Sequence, residues 1–512
     1  MANNPKVLYP TKVGTVTAAF PYGPAQDISA PGDLTGTPWT AAILNDIFGF
    51  QQALLTAAAI VPSGTPDQVG ASQYLESMAA INAYANVKVF GATGDGATDD
   101  TVAIQAAIDS VSNGGIVIPP GDYVVTQLDL ASDKTLIGIG GELTLKANAD
   151  SPAVEVPVGS TNVKIIGLKI NGNAANNLGT AVGDGLLSIN SSLGSPTTNV
   201  TVQGCTILDA RRNNVSIQDG ASGIKILDNV ITTSTGGEGV DMCPSGGSVA
   251  DILISGNSIS ASNLSLINGE GTVLNSRIVG NFLDTAGADG ITLSDDSNES
   301  VTIAGNVIVS LAAMGINFGG DNIHVVNNTI KDPTTTGIQL LTGGSSPGVL
   351  AERCKIIGNT ITGTTYVAGI FAENVKAVQI ASNSMEGGSG VGISVKQNTT
   401  VDAADRCKIC DNEVTSFAGY LVHIQGNIRA GIISGNTLVG TGAANGVEMG
   451  GSSAVVERFA VTGNTIDGTL TGYKEQTGNS INQITGNNVM GHSVAGIDEV
   501  GTSNSVGNSQ AS

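Results

Sequence analysis

Carboxylates crowd one region of this 512-residue chain: Glu238 and Asp241, then Glu270, then Asp289, Asp295 and Asp296. A protonated carboxylic acid beside an ionised carboxylate is what glycosidic bond hydrolysis requires. The two stand roughly 5–5.5 Å apart for retention and roughly 6.5–9.5 Å for inversion. If Asp241 and Glu270 lie on neighbouring strands, two residues out of line, strand geometry separates them by about 8 Å, an inverting spacing. Crowded negative charge also raises the pKa of one member, as a general acid needs. Glu238, Asp241, Glu270, Asp289 and Asp295 are therefore the candidate catalytic residues. The competing reading is a chance cluster in turns, since the chain holds 43 acids.

A second group comprises Lys396, Tyr420 and His423, flanked by Glu373 and Glu448. A uronate lyase needs a base of the Lys, His or Tyr type and a cation to neutralise the substrate carboxylate. The plainer reading makes His423 incidental and Glu373–Lys396 a surface pair worth well under ~1 kcal/mol. His324 sits in Ile-His-Val-Val with no evident partner. Cys407 and Cys410 have CxxC spacing, but strand alternation sends them to opposite faces and no second pair completes a zinc site. All five cysteines read as buried free thiols. No metal or cofactor is expected.

What could position these groups is a short repeat: an apolar-x-apolar run, Gly-Asn or a close variant, then x-Ile. Examples end at Ile259, Ile308 and Ile361. The Asn recurs from Asn229 to Asn487 with a mean period of 25.8 residues. Self-similarity at that period marks a solenoid. Eight or nine residues after each Asn comes a second short strand, such as Glu238–Met242 or Asp289–Leu293. Stacked coils repeat at about 4.8 Å. Aligned strands then give an outward column of Asp241, Asn268, Thr292, Asn317, Gln339, Phe371, Ser394, His423 and Glu448. Such a strip suits an extended sugar polymer, with Asn268, Thr292, Asn317, Gln339, Phe371 and His423 as substrate-binding candidates. The signature Asn itself reads as scaffold, in a left-handed turn conformation and hydrogen-bonded up the stack.

Composition agrees with a thin coil: 70 Gly and 4% aromatic residues mean many tight turns and few bulky core groups. A net charge of −22 argues against nucleic-acid binding through a basic surface. No run of 18 uncharged apolar residues exists for membrane insertion. The first residues show no secretory signal, so synthesis in a cytoplasm is expected.

Residues 1–86 differ in kind. Thr37-Pro38 can open a helix bearing Ile43, Ile47, Leu54 and Leu55 and stopped by Pro62. A second helix starts near Ser72 with Tyr74, Leu75, Met78 and Ile81 on one face. Two amphipathic helices without a core of their own suggest a docking or assembly module. Residues 87–132 follow as a strand, a Gly-rich turn, a helix carrying Val102, Ile104, Ala107, Ile108 and Val111, and a strand–turn–strand. Asp95, Asp99 and Asp100 occupy the helix start where a phosphate would sit, which excludes a nucleotide site and complements the helix dipole. Residues 133–490 are the coils, and 491–512 read as a short polar tail.

Phe90-Gly-Ala-Thr-Gly-Asp-Gly-Ala-Thr-Asp-Asp-Thr101, the helix after it and Gly115-Ile-Val-Ile-Pro-Pro-Gly-Asp-Tyr123 resemble the opening of a pectate-lyase-like β-helix. That resemblance implies an all-β fold, a right-handed parallel β-helix (solenoid), behind a small α-helical module. The first module, through Thr37-Pro-Trp39, Gly49-Phe-Gln-Gln-Ala-Leu-Leu55, Pro62-Ser-Gly-Thr-Pro-Asp67 and Ala71-Ser-Gln-Tyr-Leu75, resembles the segment preceding such β-helices in bacteriophage tailspikes and tail fibres. What this implies is a virion tail protein, homotrimeric, that binds and depolymerises host cell-surface polysaccharide. Residues 1–86 would join other tail or baseplate proteins. A non-enzymatic receptor-binding or structural fibre, and a polysaccharide lyase, are the rival implications. The C-terminal trimerisation or carbohydrate-binding domain of many tailspikes is not evident in the sequence.

Overall fold

The computed structural model describes residues 41–58, 60–66, 72–81, 84–149, 151–177, 185–242, 246–341, 350–363, 366–397, 404–450, 456–476, 480–493, 495–499, 502–506 and 509–511. Alternating apolar residues set short strands whose inward members are Ile, Val and Leu, and these strands stack into three long parallel sheets. The first contains Lys225–Leu227, Leu253–Ser255 and Arg277–Val279; the second Val230–Ser234, Ser258–Ser262 and Phe282–Ala286; the third Val240–Met242, Ile267–Gly269 and Ile291–Leu293. The first sheet has 17 strands and the third 15. The chain winds through about 14 turns of a right-handed parallel β-solenoid, the architecture expected. Within one coil Ile226, Ile231, Val240 and Met242 fill the interior.

The repeat's Gly-Asn corner works differently from the expectation. The left-handed residue is the one before the Asn: φ is 68° at Gly256 and 64° at Gly305, and where glycine is replaced, 54° at Asp228 and 55° at Asn327. Glycine, aspartate and asparagine tolerate that conformation best, which explains the signature's variants. The Asn side chain is thereby freed to turn inward. Asn257 donates from its backbone N and its Nδ2 to Asn281 Oδ1, 3.0 Å each, and from Nδ2 to Ile226 O at 2.8 Å. The same pattern closes between Asn464 and Asn487, so a buried amide ladder runs along the stack as expected.

Both expected boundaries move outward. Tyr84–Asn86 already pairs with Gly114–Ile118, so the solenoid starts before residue 87. At the far end Ala495–Glu499, Thr502–Val506 and Ser509–Ala511 pair in parallel with the preceding coil, so the polar tail is a further coil. Ser505 and Gln510 stand opposite Ile484 and Val489 in register, which erased the apolar alternation that marks the other coils.

Helix α1 spans Ala41–Ala57 and α2 spans Gln73–Ile81. The Ser72 hydroxyl accepts from Leu75 N at 3.2 Å, the expected start of the second helix. Helix α1 ends short of Pro62, and its expected cap at Thr37-Pro38 lies outside the described residues. Helix α3, Thr101–Ser110, covers the solenoid's end with Ile104, Ala107 and Ile108, whereas Val102 is 82% exposed. Asp99 accepts from Thr101 N, and buried Asp100 instead ties down the Gly-rich turn by accepting from Thr93 N and Gly94 N. Cys205, Cys354, Cys407 and Cys410 are free thiols; Cys243 lies outside the described residues.

Candidate active site

The third sheet keeps strict register along its length. Asp241 pairs with Asn268, Asn268 with Thr292, Thr292 with Asn317, Asn317 with Gln339 and Gln339 with Phe371. Phe371 then pairs with Ser394, Ser394 with His423 and His423 with Glu448. Every member of the expected column stands in it. The column is not uniformly exposed. Thr292, Asn317, Gln339, Phe371 and His423 are half-buried, but Asp241 and Glu448 are 2% and 1% exposed. Asp241 and Glu448 are thus covered along the stack, and neighbouring side chains supply hydrogen bonds to both: Asn213 and Asn268 to Asp241, Asn445 and Gln476 to Glu448.

At its acidic end the groups divide by role. Glu238, 8% exposed, precedes the strand, and burial pushes its carboxyl up to about 7. The charge of Glu270 on the next coil pushes the same way, and Arg212 opposes it. Asp241 accepts from Asn213 Nδ2 at 2.8 Å and Asn268 Nδ2 at 3.3 Å. Asp289 accepts from Thr292 Oγ1 at 2.9 Å and Met314 N at 2.8 Å, and Asp295 from Ser297 N at 2.7 Å and Thr272 Oγ1 at 3.4 Å. Those bonds lock turns. Of the five catalytic candidates, Glu238 carries the acid's signature and Glu270 is an exposed carboxylate able to act on it.

Sequence reasoning missed two things. Asn213 accepts from Glu238 N at 2.9 Å while its amide holds Asp241, so one side chain sets both acidic positions. The column also continues upstream, from Asp241 to Ser216, Ser188, Glu155 and Asp129. Burial raises the Glu155 pKa, an Asn190 hydrogen bond lowers it and the Asp129 charge raises it. Gln127 Nε2 donates to Glu155 Oε2 at 2.9 Å. The Asn signature begins only at Asn229, so nothing in the pattern extended the column to these coils.

The second group also assembles. Tyr420 and His423 stack with ring centroids 4.4 Å apart. Burial lowers the His423 pKa, while Glu448 and a backbone hydrogen bond with Gly450 raise it. Glu448 accepts from Asn445 Nδ2 at 2.8 Å and from Gln476 Nε2. Lys396 stands in register with Glu373, which is 8% exposed. His324 has a buried Nε2 without a hydrogen-bond partner, and burial then Lys355 lower its pKa. Among the described residues no group of three His, Cys, Asp or Glu is placed to hold a metal ion, and no helix is long and apolar enough to cross a membrane.

The coil geometry has counterparts. Residues 84–279 match the family model described as Rhamnogalacturonase A/epimerase, pectate lyase-like. This stretch is a pectate-lyase-like domain. The chain is 34% identical over 171 residues to a mannuronan C5-epimerase, AlgE3 of Azotobacter vinelandii, covering 30% of this chain and 8% of that protein. It is 44% identical over 84 residues to alginate lyase 7 of the same organism, covering 16% of this chain and 9% of that protein. The matched segments thus span about a tenth of those relatives or less. A tailspike protein mutant of E. coli bacteriophage HK620, solved in complex with a hexasaccharide, superposes with a TM-score of 0.47 at 14% identity, over 84% of this chain and 79% of that one.

Proposed function

We propose that this protein is a phage tailspike that binds host surface polysaccharide along the third-sheet column and hydrolyses it at the acidic end. The supporting observation is Glu238: a buried carboxyl, held protonated to about pH 7 by burial and by Glu270. As general acid it would protonate the glycosidic oxygen of the leaving sugar. Glu270 would accept a proton from the water that attacks the anomeric carbon, so the broken C–O bond is replaced by a new one with inversion. Asp241, fixed by Asn213 and Asn268, would orient the sugar between them. The half-buried amides and hydroxyls at Thr292, Asn317 and Gln339 offer hydrogen bonds to sugar hydroxyls, and Phe371 an apolar face.

A second reading is favoured by the stacked Tyr420–His423 pair. With its pKa lowered by burial, His423 can take a proton as a lyase base would, with Lys396 near a substrate carboxylate. The epimerase and lyase named above make a uronate polymer a reasonable substrate class. Virion attachment through α1 and α2, and trimerisation, belong to the same proposal. Their support is the exposure of Ile47, Phe48, Phe50, Leu75 and Met78 on those helices.

Incubation of the purified protein with capsule or lipopolysaccharide separates the outcomes. New reducing ends support hydrolysis, absorbance from unsaturated uronates supports elimination, and intact but bound polymer supports an adhesin. Glu238→Gln should lower hydrolysis by roughly 10²–10⁴-fold. Full activity in that variant would remove Glu238 from the mechanism.

A further inference from the structure

The first sheet carries a different column. Register runs from Lys164 through Thr201 to Lys225, Leu253, Arg277 and Thr302, and on through His324, Lys355 and Gln379 to Lys408. Five of the chain's 21 Lys and Arg therefore stand in one line, in a protein of net charge −22. No acid interrupts them: the intervening positions are Thr201, Leu253, Thr302, His324 and Gln379. All five cations are exposed, and among the described residues none of them makes an ion pair. The acids nearest in sequence to His324 and Lys355, Asp321 and Glu352, are already engaged by Arg353 and Lys376.

The spacing is nearly regular. Lys164, Lys225 and Arg277 occupy alternate coils, Lys355 follows three coils after Arg277, and Lys408 two coils after that. Two coils are about 9.6 Å, and the nine steps from Lys164 to Lys408 span about 43 Å. Two residues further along each strand runs an uncharged line including Leu227, Val279, Val326 and Ile357, each half-buried. Unpaired like charges held in line repel one another, so the bare protein keeps the arrangement at a cost that a bound polyanion would relieve.

We infer that this face is a second, non-catalytic binding strip for an anionic polysaccharide carrying a carboxylate or phosphate on at least about every second sugar. The inference rests on the proposed glycan reading and names its substrate class. A linear polyanion with that charge repeat would meet a cation every two or three coils while its sugar rings lie on the uncharged line. The strip lies on a different sheet from the Glu238 column, so a long polymer can be held on one face and cut on another.

The test uses the full-length protein with fluorescent polymannuronate, neutral dextran of matched length and duplex DNA. Binding to polymannuronate should exceed dextran by at least roughly tenfold and weaken as salt rises. Lys225→Gln/Arg277→Gln/Lys355→Gln should weaken it by about tenfold or more, while Lys331→Gln, an exposed cation on the second sheet, leaves it unchanged. The inference is overturned if the triple variant binds as the wild type does, if dextran binds equally, or if DNA displaces polymannuronate at lower concentration. It is also overturned if the triple variant alters the sedimentation coefficient instead, which would make the face a subunit contact. Full cleavage by Glu238→Gln would sink the hydrolase reading and leave this measurement standing, since it reads binding alone.

Discussion

Glu238 shows how a carboxylate acquires a role from its surroundings. Its pKa is raised above the unfolded value of 4.5 to about 7, so the folded state binds the extra proton between those values. Stability contributed by that group is full below about pH 4.5 and falls as pH rises through 7. Glu238→Gln should therefore raise the melting temperature more at pH 8 than at pH 5, and an equal gain at both would contradict the assignment. Its partner gives an independent handle. Glu270→Gln removes a charge that raises the Glu238 pKa, so the alkaline limb of the pH–rate profile should move to lower pH. That limb would stay in place if Glu270 acted only as a scaffold.

At the scale of the element, the coil corner divides two tasks between two residues. The Gly, Asp, Asn or, at position 382, Ser with positive φ bends the chain, and the following Asn stitches one coil to the next. Asn359 donates to Asn383 from both its N and Nδ2 at 2.9 Å, and accepts from Asn328 at 3.0 Å. Asn359→Ala leaves the Asn328 amide without its acceptor in a buried site, at a cost of about 1–3 kcal/mol for each group stranded. Denaturant unfolding should show that loss, and a variant as stable as wild type would mean that water replaces the ladder. The repeat was legible in the sequence because a solenoid applies one corner at every coil. Which of its two residues takes the left-handed conformation was not, since asparagine is chemically able to do either.

For the whole molecule, the exposed Phe48 and Phe50 of α1 and Leu75 and Met78 of α2 contrast with a solenoid whose interior is built from fully buried Ile, Val and Leu. Phe48→Ser/Phe50→Ser should leave the solenoid's unfolding within about 0.5 kcal/mol of wild type, because exposed residues hold little of its stability. If those helices join copies or other tail proteins, sedimentation should show a smaller species or virions should fail to incorporate the variant. Unchanged assembly would place the contact elsewhere.

The sequence by itself determined the period, the solenoid and the register of the third sheet from Asp241 to Glu448. Strands of fixed rise and alternating faces convert residue spacing directly into position. Depth was decided only in three dimensions. Asp241 and Glu448 stand in the expected outward column yet are almost inaccessible, with side chains remote in sequence packed onto them: Asn213 and Asn268 on one, Gln476 on the other. Asn213, remote in sequence from any acid pattern, came to hold both Glu238 and Asp241 by that same stacking. Local patterning says which way a side chain points. Burial, and with it the pKa that makes one acid out of many a candidate proton donor, is a property of everything packed around it.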